Sequence, residues 1–168
     1  MKKLVLLTIL LMSISNLNAQ GSEPTKKFNF NLGTTFFDTF LESKNIYAGF
    51  DYKITESASV GLMFNHANFD KSFNKYSRNE ILITLNQDWS GILGVNTNKF
   101  DIYTGINMGN VYYNFENTNT DYSQKNEGFD IGGQVGIRYF VYKNFGLNTE
   151  IYSNLGKGGI RTGITYKF

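Results

Sequence analysis

Apolar residues recur at every second position over eight stretches of the chain. Phe28, Phe30, Leu32 and Phe36 alternate with Asn29, Asn31, Gly33 and Thr35. Ile46, Ala48, Phe50, Tyr52 and Ile54 alternate with Tyr47, Gly49, Asp51 and Lys53. The same period recurs over 58–68, 78–88, 99–113, 128–139, 145–155 and 158–168. A period of two is the mark of a strand with one apolar face. The pattern predicts an all-β fold: eight antiparallel strands of about ten residues, joined up and down. That even number and length match the smallest common membrane barrel.

The predicted connections alternate in length. Phe37–Ser43, Phe69–Ser77 and Asn114–Glu127 are long and polar, whereas Thr55–Ser57 and Phe140–Asn144 are short. Long outer loops and short periplasmic turns give this asymmetry. Two segments break it. Asn154–Gly159 falls on the outer side yet is short. Trp89–Asn98 falls on the periplasmic side, is long and carries apolar residues; the sequence offers only a short helical turn at the interface for it.

Composition decides what each face meets. A soluble barrel with an apolar lumen would alternate in the same way, but its outer surface would be rich in Lys and Glu. Here the polar face is mostly Gly, Asn, Thr, Ser and Tyr. Charged residues make up 18% of the chain, against about 25% in ordinary soluble domains. Phe28, Phe36, Tyr52, Phe100, Tyr139, Phe145, Tyr166 and Phe168 sit toward strand ends on the apolar parity, where aromatic girdles form. The apolar face is therefore assigned to lipid and the polar face to a narrow lumen. Tyr47, Tyr103, Tyr152, Arg138 and Arg161 are expected to help fill that lumen, because eight strands leave just enough room for side chains.

The N-terminus has the form of an export signal: Lys2 and Lys3, the apolar run Leu4–Met12, and Ala19 at the cleavage position. The expected organisation is a signal peptide over 1–19, a flexible leader over 20–26 and a transmembrane barrel over 27–168. Without the signal's two lysines, the 16 basic residues become 14 and equal the 14 acidic ones. That balance removes the electrostatic case for a nucleic-acid partner.

The signal, the eight alternating strands and the C-terminal Ile164, Tyr166, Phe168 pattern together resemble the OmpA/OmpX-type outer-membrane barrels. The resemblance implies an outer-membrane location in a Gram-negative-type envelope. It also implies contact with outer-membrane lipid, and a last strand read by the barrel-assembly machinery through Ile164, Tyr166 and Phe168. Unpaired backbone groups in lipid cost several kcal/mol each, so the first and last strands are expected to pair and close the barrel. With the chain ending at the barrel, the peptidoglycan-binding domain attached to some OmpA-type proteins is expected to be absent. A monomer with a structural, adhesive or surface-binding role is expected, its outer loops open to an extracellular ligand.

Candidate chemistry is sparse. His66 is the only histidine and there is no cysteine, which argues against a zinc or copper site. Glu116, Asp121 and Glu127 lack the spacing of a calcium loop. Leu155–Gly159 (LGKGG) lacks the phosphate-loop order and is assigned to a hairpin turn. Gly132 and Gly136 share the lumen parity and make room there. His66, with Asp70 and Ser72 nearby, is the one feature toward a lipid A-modifying enzyme; the stronger expectation is an interfacial histidine. No enzyme activity and no cofactor are expected. A narrow pore remains the other alternative. The candidate site is instead a lumen charge network of Asp101, Arg138, Glu150 and Arg161 on four successive strands.

Overall fold

The computed structural model describes residues 28–36, 44–71, 74–117, 119–120, 122–155 and 157–168. The segments assigned to the signal (1–19) and leader (20–26), and the loop 37–43, lie outside the described residues. The strands are β1 (Phe28–Phe36), β2 (Lys44–Lys53), β3 (Ala58–Lys71), β4 (Asn74–Asp88), β5 (Phe100–Asn117), β6 (Tyr122–Tyr142), β7 (Phe145–Asn154) and β8 (Lys157–Lys167). They form one closed antiparallel barrel in chain order. The seam is made by β1 and β8, from Phe36↔Ile160 to Asn29↔Lys167, and Phe168 N donates to Phe28 O at 2.8 Å. Closure leaves no sheet edge within the barrel wall, so its backbone groups are paired without water.

The stagger of the wall can be read from its register. The path of paired residues from Asp101 runs through Arg138, Asn148, Gly163, Gly33, Tyr47, Asn65 and Glu80. It returns to β5 at Val111, ten residues from its start. Such a shear tilts the strands and sets the width of the lumen. Two ends can be named: a terminal end carrying Phe28 and Phe168, and a hairpin end carrying the β3–β4 and β5–β6 connections.

Burial follows the period-two pattern. Outward side chains include Leu62, Phe64, Ile81, Ile83, Val135, Ile137, Leu147 and Ile151, all exposed. Inward ones are mostly polar, and Leu82 and Met63 pack among them. Aromatic rings cluster outside at the terminal end: Phe28 lies 5.1 Å from Tyr52, Phe100 lies 5.0 Å from Tyr139, and Tyr166 lies 4.7 Å from Phe168. Threonines on this apolar face satisfy their hydroxyls locally. Thr34 Oγ1 donates to Asn45 O at 2.6 Å and Thr162 Oγ1 to Asn148 O at 3.1 Å, which lowers the cost of a hydroxyl in an apolar setting.

Three boundaries differ from the sequence pattern. The stretches assigned to loops at Phe69–Ser77 and Asn114–Glu127 are largely strand, because β3 with β4 and β5 with β6 stay paired as far as Lys71↔Asn74 and Asn117↔Tyr122. Polar residues on both faces hid these extensions, since strands standing clear of the barrel need no apolar side. The connection assigned to Asn154–Gly159 is shorter, with β7 reaching Asn154 and β8 starting at Lys157. Trp89–Asn98 is a run of turns. Leu93 N donates to Trp89 O and Val95 N to Ser90 O, and no helix continues from them. Gly94 takes the positive φ of 67° there, and Trp89 Nε1 anchors the run to Thr104 Oγ1 at 2.9 Å.

Candidate functional site in the barrel lumen

The lumen is packed in three tiers. At the terminal end Asp51 of β2 reaches across to Arg138 of β6, four strands away, with Arg138 Nη2 at 2.5 Å. Asp51 also accepts from Asn31 Nδ2 at 3.2 Å and Asn86 Nδ2 at 3.1 Å. Arg138 stacks on the Tyr103 ring at 4.2 Å and lies 4.0 Å from Asp101. Lys167 adds to this tier, 3.1 Å from Asp101. Lys53 and Asp88 pair at 3.3 Å beside it.

The middle tier is aromatic and amide. Arg161, 1% exposed, lies over the Tyr152 ring at 3.8 Å, with Nη1 at 3.5 Å from Glu150. The Tyr47 hydroxyl donates to the Asn148 side-chain oxygen at 2.5 Å, and the Asn148 amide nitrogen donates to Gly163 O at 3.1 Å. Toward the hairpin end, Glu80 of β4 binds Arg78 Nε at 2.9 Å and accepts from Asn65 Nδ2 at 2.9 Å. Lys157 of β8, again four strands away, contacts Glu80 directly and lies 2.7 Å from Asp130.

Bulky groups fit because the facing positions are glycine. A Cβ on Gly136 would meet the Tyr103 ring, and one on Gly132 would meet the Asn154 side chain. Beside this packing, a niche among Lys53, Ser59, Asn86, Asp88, Tyr103 and Arg138 has a volume of about 10 Å³. A space of that size holds about one water molecule.

The candidates named from sequence fall as follows. Asp101 and Arg138 are direct register partners, as are Glu150 and Arg161. The four meet as these two pairs, and among the described residues no hydrogen bond or ion pair joins Arg138 to Glu150. Each pair belongs to a different tier, and the partners that complete the tiers are Asp51, Lys167, Glu80, Asp130 and Lys157. Asp51, Glu80 and Asp130 stand on the polar parity, so their inward direction was readable. Lys157 was hidden by its assignment to a turn. Glu150→Ala removes the carboxylate beside the buried Arg161 guanidinium, which keeps its contact with the Tyr152 ring. This change is expected to lower the urea midpoint of the detergent-folded barrel, whereas Glu127→Ala on the exposed tip of β6 leaves it unchanged; equal midpoints would show a solvated Glu150.

His66 lies on the outer parity of β3, its Nδ1 2.7 Å from Asn79 Oδ1. The side chain of Asp70 and the whole of Ser72 lie outside the described residues. Among the described residues no group of three His, Asp or Glu is placed to hold a metal ion. Ile164, Tyr166 and Phe168 are exposed along the outer face at the seam.

A closed antiparallel wall of eight strands, apolar outside and polar inside, is the architecture that comparison with solved structures returns. The chain has the eight-stranded outer-membrane barrel fold. Neisserial surface protein A (NspA) superposes with a TM-score of 0.62 at 12% identity, over 84% of this chain and 95% of that one. Ail, the attachment invasion locus protein of Yersinia pestis, gives 0.57 at 12% identity over 88% and 100%. The outer membrane protein OprG of Pseudomonas aeruginosa gives 0.58 at 15% identity over 88% and 98%. No protein-family model matches the sequence, and no curated protein matches it.

Proposed function

We propose that this chain is an integral outer-membrane barrel with a closed lumen that acts through its outward-facing surface, without catalysing a reaction or conducting solutes. The observation that carries this reading is the inversion of the barrel. Its outer wall is a continuous apolar belt with an aromatic girdle, and its interior is filled by paired charges and tyrosines. A belt of that kind is stable only against lipid. The terminal end is the periplasmic side and the hairpin end the extracellular side. The superposing barrels include a surface protein and an attachment invasion protein, which supports a surface role. The exposed Ile164, Tyr166 and Phe168 are the segment that the assembly machinery would read.

The reading is tested on the protein folded in detergent and in planar bilayers. The folded barrel should migrate faster on a gel before boiling than after, and should fractionate with outer membranes. Bilayers containing it should show no stable conductance steps. A soluble periplasmic protein with no gel shift would overturn the membrane reading, and steady unitary currents would overturn the closed lumen.

A further inference from the structure

The wall closes fully only where all eight strands are present, and at the hairpin end they are not. β6 stays paired with β5 up to Asn117↔Tyr122. Its pairing with β7 starts only at Gly132↔Asn154. The Ile131 carbonyl accepts from Leu155 N at 3.1 Å, on the β7 side, whereas Phe140 N donates to Lys99 O on the β5 side. Along a strand these directions alternate. Odd-numbered residues of β6 therefore turn their backbone toward β7, and beyond Ile131 they find no strand among the described residues. Ser123, Lys125, Glu127 and Phe129 thus offer N–H and C=O groups along an open edge, and Tyr122–Phe129 is exposed throughout.

An open edge is a template for another strand, and the charges on this one select the strand. Lys125 and Glu127 share one face, two residues apart. We infer that the β6 edge pairs antiparallel with the β6 edge of a second copy, centred on Asn126. In that register Lys125 stands opposite Glu127 of the other copy, and Glu127 opposite its Lys125, so two opposite-charge pairs form. Ser123 stands opposite Phe129, and all four outward-turned residues are hydrogen-bonded. Moving the centre to Lys125 sets two lysines face to face, and moving it to Glu127 sets two glutamates face to face. Directly opposed like charges destabilise a strand pair. A lone edge lysine discourages pairing with an arbitrary strand; here a strand that sets an acid opposite Lys125 and a base opposite Glu127 neutralises both, and a second copy does so.

The membrane fixes the geometry of the encounter, and this part rests on the function proposed above. Within one membrane every copy of β6 runs in the same sense, from hairpin end to terminal end, so two copies there could meet only in parallel. The antiparallel register requires barrels that face each other from apposed membranes. The edge is therefore a homotypic contact between two cell surfaces.

The test uses single barrels in lipid nanodiscs, labelled with donor and acceptor dyes, with disc pairing followed by energy transfer and light scattering. Insertion is checked first by the gel shift; its absence would overturn the membrane reading and this inference with it. The native barrel should pair discs. Lys125→Glu and Glu127→Lys should each weaken pairing by about tenfold or more, since two attractive cross-strand pairs become repulsive. Mixing the two variants, or combining both changes in one chain, should restore it, because opposite charges again face each other. Asn126→Cys adds the only cysteine at a non-hydrogen-bonded pair, where Cα atoms lie about 4.5 Å apart, within disulfide reach. It should give an oxidised dimer. Inserted native barrels that do not pair, or single reversals without effect, would overturn the inference, as would a mixture that fails to recover.

Discussion

Glu80→Ala is expected to cause the largest loss of stability among the lumen charges. Glu80 is 2% exposed and is shared by Arg78, Lys157 and Asn65. Removing it takes away the carboxylate that Arg78, Lys157 and Asn65 share, and among the described residues it leaves Lys157 with Asp130. Breaking a buried pair by deleting one partner costs about 3–5 kcal/mol, because the remaining charge stays desolvated. Lys157→Met should cost less, since Glu80 keeps Arg78 and the methionine stem fills the same space. Because the two residues share one tier, the double variant Glu80→Gln, Lys157→Met should lose less than the sum of the singles. Urea unfolding of the detergent-folded barrel measures all of these. An unchanged midpoint for Glu80→Ala would mean that water already solvates this tier.

Gly163→Val is expected to prevent closure altogether. Gly163 and Gly33 face each other across the β1–β8 seam. A Cβ on Gly163 would fall against Leu32 O and the Cα of Gly33, and one on Gly33 against Thr162 O. These contacts are with backbone, which cannot swing aside as a side-chain tip can. Valine would push the seam open and strand N–H and C=O groups in lipid, at several kcal/mol each. The fast-migrating folded form on a gel should be lost. The control is Gly133→Ala on the outer face, whose nearest neighbour would be Gly105 O at 3.7 Å; it should fold as the native chain does. A normal folded band for Gly163→Val would show that the seam has slack.

The glycine result separates two kinds of information. That Gly33 and Gly163 lie on the polar parity follows from alternation, because successive side chains on a strand point to opposite sides. That they face each other follows from closure and stagger, which join the first strand to the last.

The same division holds for the charges. Asp101 with Arg138, and Glu150 with Arg161, stand on adjacent strands. Alternation and hairpin counting bring such residues close, and each pair is a register match. Asp51 with Arg138, and Glu80 with Lys157, stand four strands apart and meet across the lumen. Their contact depends on the shear and width of the finished barrel, which no local pattern encodes.

The hairpin end was the least legible part. Alternation marks a strand in sequence only when one face is buried, and Tyr122–Phe129 of β6 are exposed on both faces. Their strand character appears only in the backbone pairing.

By itself the sequence determined the all-β class, the number of strands, the face each residue occupies and the inversion of polarity that points to lipid. Each of these depends only on neighbours along the chain and on the two-residue period. Tertiary structure alone decided which inward charges meet across the lumen, where glycine is obligatory at the seam, and how far β6 outruns β7 to leave an open edge. These depend on the stagger accumulated around the closed barrel, a property of all eight strands together.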